Sequence, residues 1–329
     1  MMTAPQPILV VGAYGYRNAG DEAILAGLLR GLGDSRVTVV SRSPAETAAL
    51  HGVEAVGLAG APGALLRHRS VLIGGGGLFG RDMGRIGRLL PLFGLLANAM
   101  GRTVVVEGVG VDPDMGRIHR LLVRRLLHRA EHVSVRDRTS ARILDGWGVA
   151  ADVADDLSAQ VAPAAARVGR ALLRTAGVDG RRPVIGLCLT AVNGEAAPGL
   201  DDAILTLMRR HPEREFCFIP MSQHPHVERH NDLLLARRLQ ASWPALRIVE
   251  GTHHPSELLS LFGALGAVVG MRYHSLLFAE RMGVPLVPVS YAAKCDAWLG
   301  ERGLRSVPPT GVAVARALAR SLAQLSQAS

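Results

Sequence analysis

This sequence predicts an α/β fold made of two successive parallel-sheet halves with a cleft between them. Three observations predict it. Short β-branched runs alternate with amphipathic helical stretches, the pattern of βα units around a parallel sheet. A chain of 329 residues is long enough for two domains. Its 38 glycines and 18 prolines follow no three-residue period and so supply many short turns.

In the first half, strands are expected at 8–13, 37–41, 70–74, 103–109 and 132–136. A helix over 21–32 sets Ile24, Leu25, Leu28, Leu29 and Leu32 on one face, and another over 117–129 does so with Leu121, Leu122 and Leu126. Between 161 and 182 the chain turns rich in alanine, glycine and arginine, and the domain boundary belongs there, giving domains 1–165 and 180–310 followed by a C-terminal helix over 311–329. The second half repeats the alternation: strands at 184–189, 215–220, 246–249, 267–270 and 284–289, and helices at 200–210, 227–240, 255–262 and 273–282. In open α/β sheets ligands sit beyond the carboxyl ends of the strands, so the strand-to-helix turns are where chemistry should be sought.

Composition removes several classes. With 48% hydrophobic and 20% charged residues, the chain is not a disordered tail. Cys188, Cys217 and Cys295 are far apart and form neither a disulfide framework nor a zinc set, which suits a reducing cytoplasm. The first fifteen residues lack a basic segment and do not read as a signal peptide. The apolar stretches at 89–101 and 258–271 are shorter than the roughly 20 residues of a membrane span, so a soluble protein is expected. The net charge of +9 rests almost wholly on scattered arginines without aromatic interleaving, which argues against nucleic acid. Attraction to anionic substrates, or to a membrane surface carrying anionic lipid, fits this charge.

Several turns could carry chemistry. The first, GAYGYRNAGDE (12–22), departs from a dinucleotide fingerprint in its spacing and in lacking an acid after the second strand. It offers Asn18 in a polar loop, then Asp21 and Glu22, which either meet a ligand or cap the helix dipole. Gly74–Gly77, with Gly75 and Gly76 at its centre, permits a close backbone approach or a tight turn. Arg136 beyond a strand end suits a carboxylate or phosphate, or pairs with Asp137 or another acid. Asp155 and Asp156, with no further acid nearby, support a divalent-metal site only weakly, and a structural hydrogen-bonding role suits Asp155 at least as well.

The segment GMRYHSLLFA (270–279) is the most informative. It sets Arg272, His274 and Ser275 at a helix N-terminus, where backbone N–H groups and the dipole already favour an anion. Lys294 is the single lysine. His224, His226 and His230 have a spacing that could bind metal but no completing carboxylate or cysteine, which favours a polar lip on the cleft.

Taken in order, GAYGYRNAGDEAIL (12–25), IGGGGLF (73–79), VSVRDRTS (133–140), PMSQHP (220–225), GMRYHSLLFA (270–279) and VSYAAKC (289–295) resemble the polysaccharide pyruvyl transferases, in particular the cell-wall branch called CsaB. The resemblance implies two Rossmann-like domains facing a central cleft, as in GT-B glycosyltransferases. It implies transfer of pyruvate from phosphoenolpyruvate, as a ketal, to a sugar of a lipid-linked cell-wall saccharide. N-acetylmannosamine is the implied acceptor, and the product would anchor surface-layer proteins. Arg136, Arg272 and His274 become the expected catalytic residues. Asn18, Asp21, Glu22, Gly75, Gly76, His224, Ser275 and Lys294 become the expected substrate contacts. Ala292-Ala293 after Tyr291 departs from the polar residue expected there, which affects the role of Lys294.

The chemistry suits these residues. Phosphoenolpyruvate carries two anionic groups that arginines can hold, and ketal formation moves a proton at each step, for which histidine is the fitting side chain. No cofactor and no metal are expected. The competing readings are a GT-B glycosyltransferase using a nucleotide sugar and a non-enzymatic anion- or glycan-binding protein. Location is expected in the cytoplasm, with peripheral contact at the inner membrane surface.

Overall fold

The computed structural model of the chain describes residues 6–80, 84–191, 199–290 and 293–308, together with 313, 314, 316, 317 and 320. They divide into two compact units, Met1–Tyr16 with Asp21–Val161, and Arg17–Gly20 with Ala162–Ser329. Most of the expected helix over 311–329, Tyr291, Ala292 and the side chain of Lys294 lie outside the described residues.

The first unit runs β1 (Ile8–Val11), α1 (Ala19–Leu32), β2 (Val37–Val40), α2 (Pro44–His51), β3 (Glu54–Val56), α3 (Ala61–Arg67), β4 (Ser70–Phe79), α4 (Gly84–Ala99), β5 (Thr103–Val111), α5 (Arg117–Leu127), β6 (His132–Val135), α6 (Arg138–Asp145) and β7 (Asp152–Val153). Among the described residues its strands form one parallel sheet in the order β3-β2-β1-β4-β5-β6-β7. Both faces of the central strands are buried, which is why they read as unbroken apolar runs. On β1, Leu9 and Val11 join one core layer with Ile73 and Val106. Ile8 and Val10 join the other, against Ile24, Leu25 and Leu28 of α1.

The second unit runs α7 (Ala166–Thr175), β8 (Val184–Cys188), α8 (Leu200–Arg210), β9 (Glu215–Phe218), α9 (Asp232–Ser242), β10 (Arg247–Ile248), α10 (Pro255–Phe262), β11 (Ala267–Gly270), α11 (Tyr273–Arg281), β12 (Leu286–Pro288) and α12 (Ala293–Glu301). Its parallel sheet has the order β10-β9-β8-β11-β12. Residues 166–175, read from composition as part of the linker, form α7 and pack on α10. The backbone of Ser260 comes so near Gly169 that a Cβ there would stand 2.2 Å from it, and the Gly169 N–H donates to Ser260 Oγ at 3.0 Å.

Each unit is thus doubly wound and Rossmann-like. Strand order reverses between β1 and β4 in the first and between β8 and β11 in the second, the places where such sheets open a crevice at their carboxyl ends. Of the turns picked out above, those at 12–22, 136–138 and 271–275 follow β1, β6 and β11. One expectation changes: the glycines after Gly74 do not end the strand. β4 continues to Phe79, with Gly75 at φ 72° and Gly76 at φ 81°, and its pairing with β5 shifts register between Gly76 and Phe79. Only glycine adopts such backbone without strain. The helix expected at 227–240 also starts later, at Asp232, after a short 3-10 turn over Glu228–His230.

Candidate active site

In the first unit, Arg136 follows the last residue of β6 and its side chain is nine-tenths buried. Glycines make the room. A Cβ at Gly110 would stand 2.9 Å from its guanidinium, and one at Gly77 would stand 3.7 Å away. The guanidinium therefore lies along the carboxyl ends of β4 and β5. Asp137 and Asp156 approach it at 3.7 and 3.8 Å. Each acid also holds a backbone N–H, Asp137 that of Ser140 at 2.6 Å and Asp156 that of Ser158 at 3.0 Å. Asp156 is therefore an arginine partner and a cap.

Beside it, Asp21 lies 3.4 Å from where a Cβ on Gly76 would stand, so these two expected contacts are neighbours. Gly75 packs on Ile24 instead, 1.7 Å from the same construction. Glu22 is turned inward, 3% exposed. One oxygen accepts the Gly15 N–H at 2.9 Å and the other meets His51 Nε2 at 2.8 Å. Its place in the first turn of α1 thus shapes the loop over residues 15–22, and Glu22 contacts no open surface. Tyr14, also buried, donates to the Gly74 carbonyl at 2.6 Å; burial, and then the charges of Asp21 and Glu22, push its hydroxyl far above the ordinary range.

In the second unit, Arg272 leaves β11 and stands at the N-cap of α11. The fork that the sequence offers to an anion faces Asp232. Nε donates to one carboxylate oxygen at 3.2 Å and Nη2 to the other at 2.6 Å. Asp232, 2% exposed at the start of α9, also accepts the Ser222 N–H at 3.0 Å. This pairing uses two of the five N–H donors of a guanidinium and fixes its plane. Asp232 was not singled out by sequence reading, because an acid in the first turn of a leucine-rich helix looks like an ordinary dipole partner.

His274 stacks edge-on against Tyr273 and Phe278, with ring centroids 5.3 and 6.3 Å away. A Cβ on Gly20 would stand 2.1 Å from its Nδ1, so only glycine fits at 20. Residues 17–20 are held in place by β-type pairing. The Ala19 N–H donates to the Met221 carbonyl at 2.8 Å and the Gln223 N–H to the Arg17 carbonyl at 2.9 Å, with Asn18 opposite Ser222. Asn18 Oδ1 accepts the Gly20 N–H at 3.0 Å, which caps the start of α1. Ser275 is fully buried and its hydroxyl donates to the Arg272 carbonyl at 2.6 Å, so it too secures the turn instead of lining a surface.

The histidine loop adjoins this cluster. His224 Nδ1 accepts the backbone N–H groups of His226 and Val227 at 3.1 and 3.0 Å, which puts the proton of a neutral ring on Nε2. His230 lies 6.2 Å away, ring to ring. Burial, and then the positive charges of Arg272 and Arg229, hold His230 below its ordinary pKa. Among the described residues no group of three or more His, Cys, Asp or Glu is placed to hold a metal ion.

The profile of the polysaccharide pyruvyl transferases matches residues 18–292, from Asn18 through the Arg272–His274 turn. The chain belongs to the polysaccharide pyruvyl transferase family. The comparison with curated proteins gave no match. Among solved structures, the S. aureus MnaA–UDP complex aligns with a TM-score of 0.68 at 11% identity, over 97% of this chain and 89% of that one. UDP-GlcNAc 2-epimerase from Neisseria meningitidis aligns at 0.65 and 12% identity, over 95% and 90%. E. coli ADP-heptose heptosyltransferase II aligns at 0.55 and 14%, over 97% and 99%. At these identities the likeness is one of fold, that of GT-B glycosyltransferases and epimerases. It makes this pyruvyl transferase family member an α/β protein of two Rossmann-like units.

Proposed function

We propose that the chain is a ketal-pyruvyl transferase of the CsaB type. It takes pyruvate from phosphoenolpyruvate and places it on a sugar, N-acetylmannosamine, of a lipid-linked cell-wall saccharide, and it works in the cytoplasm. The observation that carries this reading is the turn after β11, where an arginine locked by a buried carboxylate and a histidine share one helix N-terminus. An anion there meets a fixed guanidinium, the dipole of α11 and an imidazole as proton carrier.

The reaction balances as follows. The methylene carbon C3 of phosphoenolpyruvate gains a proton, and one sugar hydroxyl bonds to C2 and loses its proton. The C2–O bond to phosphate breaks, and a second hydroxyl, also losing a proton, closes the ring. Inorganic phosphate leaves with the remaining proton, and nothing is oxidised or reduced. Arg272 stabilises the charge on the departing phosphate, and His274 serves as the proton carrier. Arg136, in the first unit, is a second arginine suited to hold an anion, and in this reading Asp21 and Gly76 of the first unit and Asn18 and His224 of the second keep the contact roles that the sequence suggests, each unit taken by itself.

Incubation with phosphoenolpyruvate and a β-N-acetylmannosamine-terminated lipid-linked acceptor tests it. Phosphate release matched by a pyruvyl mass gain on the acceptor is the expected result. Release of a nucleoside diphosphate from a sugar nucleotide would mark a glycosyltransferase, and turnover of neither donor would mark a binding protein.

A further inference from the structure

Five of the ten large apolar side chains exposed among the described residues fall on two helices of the first unit. Leu89, Leu92 and Leu96 are 59%, 46% and 52% exposed on α4, and Ile118 and Leu121 are 77% and 49% exposed on α5. Spacings of three and four residues set each group in a stripe along its helix. The helices lie side by side: a Cβ at Gly94 of α4 would stand 2.6 Å from Leu126 of α5, and Arg88 of α4 lies close enough to His119 of α5 to help lower its pKa, after burial.

The charge of this face is one-sided. Between them α4 and α5 contain six arginines and no Asp or Glu. Arg88, Arg117, Arg120 and Arg124 are exposed next to the apolar stripes. Neither α4 nor any other helix among the described residues is long and apolar enough to cross a membrane. Apolar side chains flanked by arginines alone are what a helix needs to lie in a lipid interface, the side chains entering the acyl boundary and the guanidinium groups meeting anionic headgroups. Pairing of these two helices with their own copy would bring arginines against arginines with no acid on either helix to meet them, which is unfavourable.

We propose that the α4–α5 face docks the protein peripherally on an anionic lipid surface. The proposal stands apart from the transfer reaction, and its test uses lipid binding alone. The full-length protein is sedimented with vesicles of phosphatidylcholine containing phosphatidylglycerol, and with vesicles of phosphatidylcholine only. Wild type should bind the former, weakly at high salt, and hardly bind the latter. Leu92→Gln with Leu96→Gln should abolish binding, and Arg120→Gln with Arg124→Gln should weaken it roughly fivefold per arginine. The control pair Arg209→Gln and Arg210→Gln removes the same charge from exposed positions of α8 and should bind like wild type. Since all these side chains are exposed, melting temperatures should be unchanged; if the leucine pair fails to fold, the arginine pair decides alone. Absence of wild-type binding, or equal loss in the control pair, overturns the proposal. So does a dimer in light scattering that Leu92→Gln with Leu96→Gln dissolves without any vesicle binding.

Discussion

Asp232 holds Arg272 at two points, 3.2 and 2.6 Å, with the carboxylate almost wholly buried and the arginine side chain 17% exposed. An arginine so restrained keeps its guanidinium in one orientation, the preorganisation that charge stabilisation at a reacting centre needs. Asp232→Ala should cost about 3 kcal/mol of stability, since it leaves a mostly buried guanidinium without its counter-charge. Asp232→Asn keeps the shape and loses the charge. It should raise the KM for phosphoenolpyruvate and lower kcat while the melting temperature falls less, as steady-state kinetics beside thermal denaturation will register. Normal kinetics in a folded Asp232→Asn protein would reduce Asp232 to a structural part.

The contact between Gly20 and His274 makes a second prediction. Gly20→Ala introduces a methyl group that must displace the imidazole, at about 1–3 kcal/mol. In a His274→Ala background that cost should disappear, so a double-mutant cycle measured by denaturant unfolding should give a coupling of similar size. His274→Ala alone should keep the fold and phosphoenolpyruvate binding while turnover falls about 10²–10⁴-fold.

For Arg136, burial between Asp137, Asp156 and Gly110 predicts losses of both stability and activity on substitution by Gln. Arg136→Lys should restore part of the stability and little of the activity, because an ammonium does not reproduce the planar fork. Gly110→Ala should lower activity by shifting Arg136 without removing it. Thermal unfolding and initial rates on the three variants will distinguish these effects.

His230 gives a pH dependence. Its pKa is lowered in the fold by burial and by Arg272 and Arg229, so the unfolded chain binds its proton more tightly than the native one. Stability from this group is therefore present above its ordinary pKa of 6.5 and is lost as pH falls below that value toward the lowered one. Unfolding midpoints should drop on acidification through that window, and His230→Gln should flatten the drop.

Much of this was legible in the chain. The strand-end positions of Arg136 and Arg272 follow from apolar runs that end in polar residues, and α1, β11 and α11 came from periodicity. For Asn18 and Glu22 the sequence left ligand contact and helix capping both open, and the local hydrogen bonds of Asn18, Glu22 and Ser275 to backbone groups, with that of Glu22 to His51, could not be read from residue type. Asp232 was hidden for the opposite reason. Its partner is 40 residues away, and no local pattern separates it from a helix-capping acid. The passage of β4 through Gly75 and Gly76 was equally out of reach, because a glycine run gives no period and reads as a turn.

Protonation of C3 is the central claim, and running the reaction in D₂O tests it most directly. With phosphoenolpyruvate and the N-acetylmannosamine-terminated acceptor, mass spectrometry and NMR of the product should find a cyclic ketal whose methyl group carries one deuterium, formed with an equal amount of phosphate. A product that keeps the methylene as an enolpyruvyl ether, or an acceptor that gains nothing from phosphoenolpyruvate, would contradict the account.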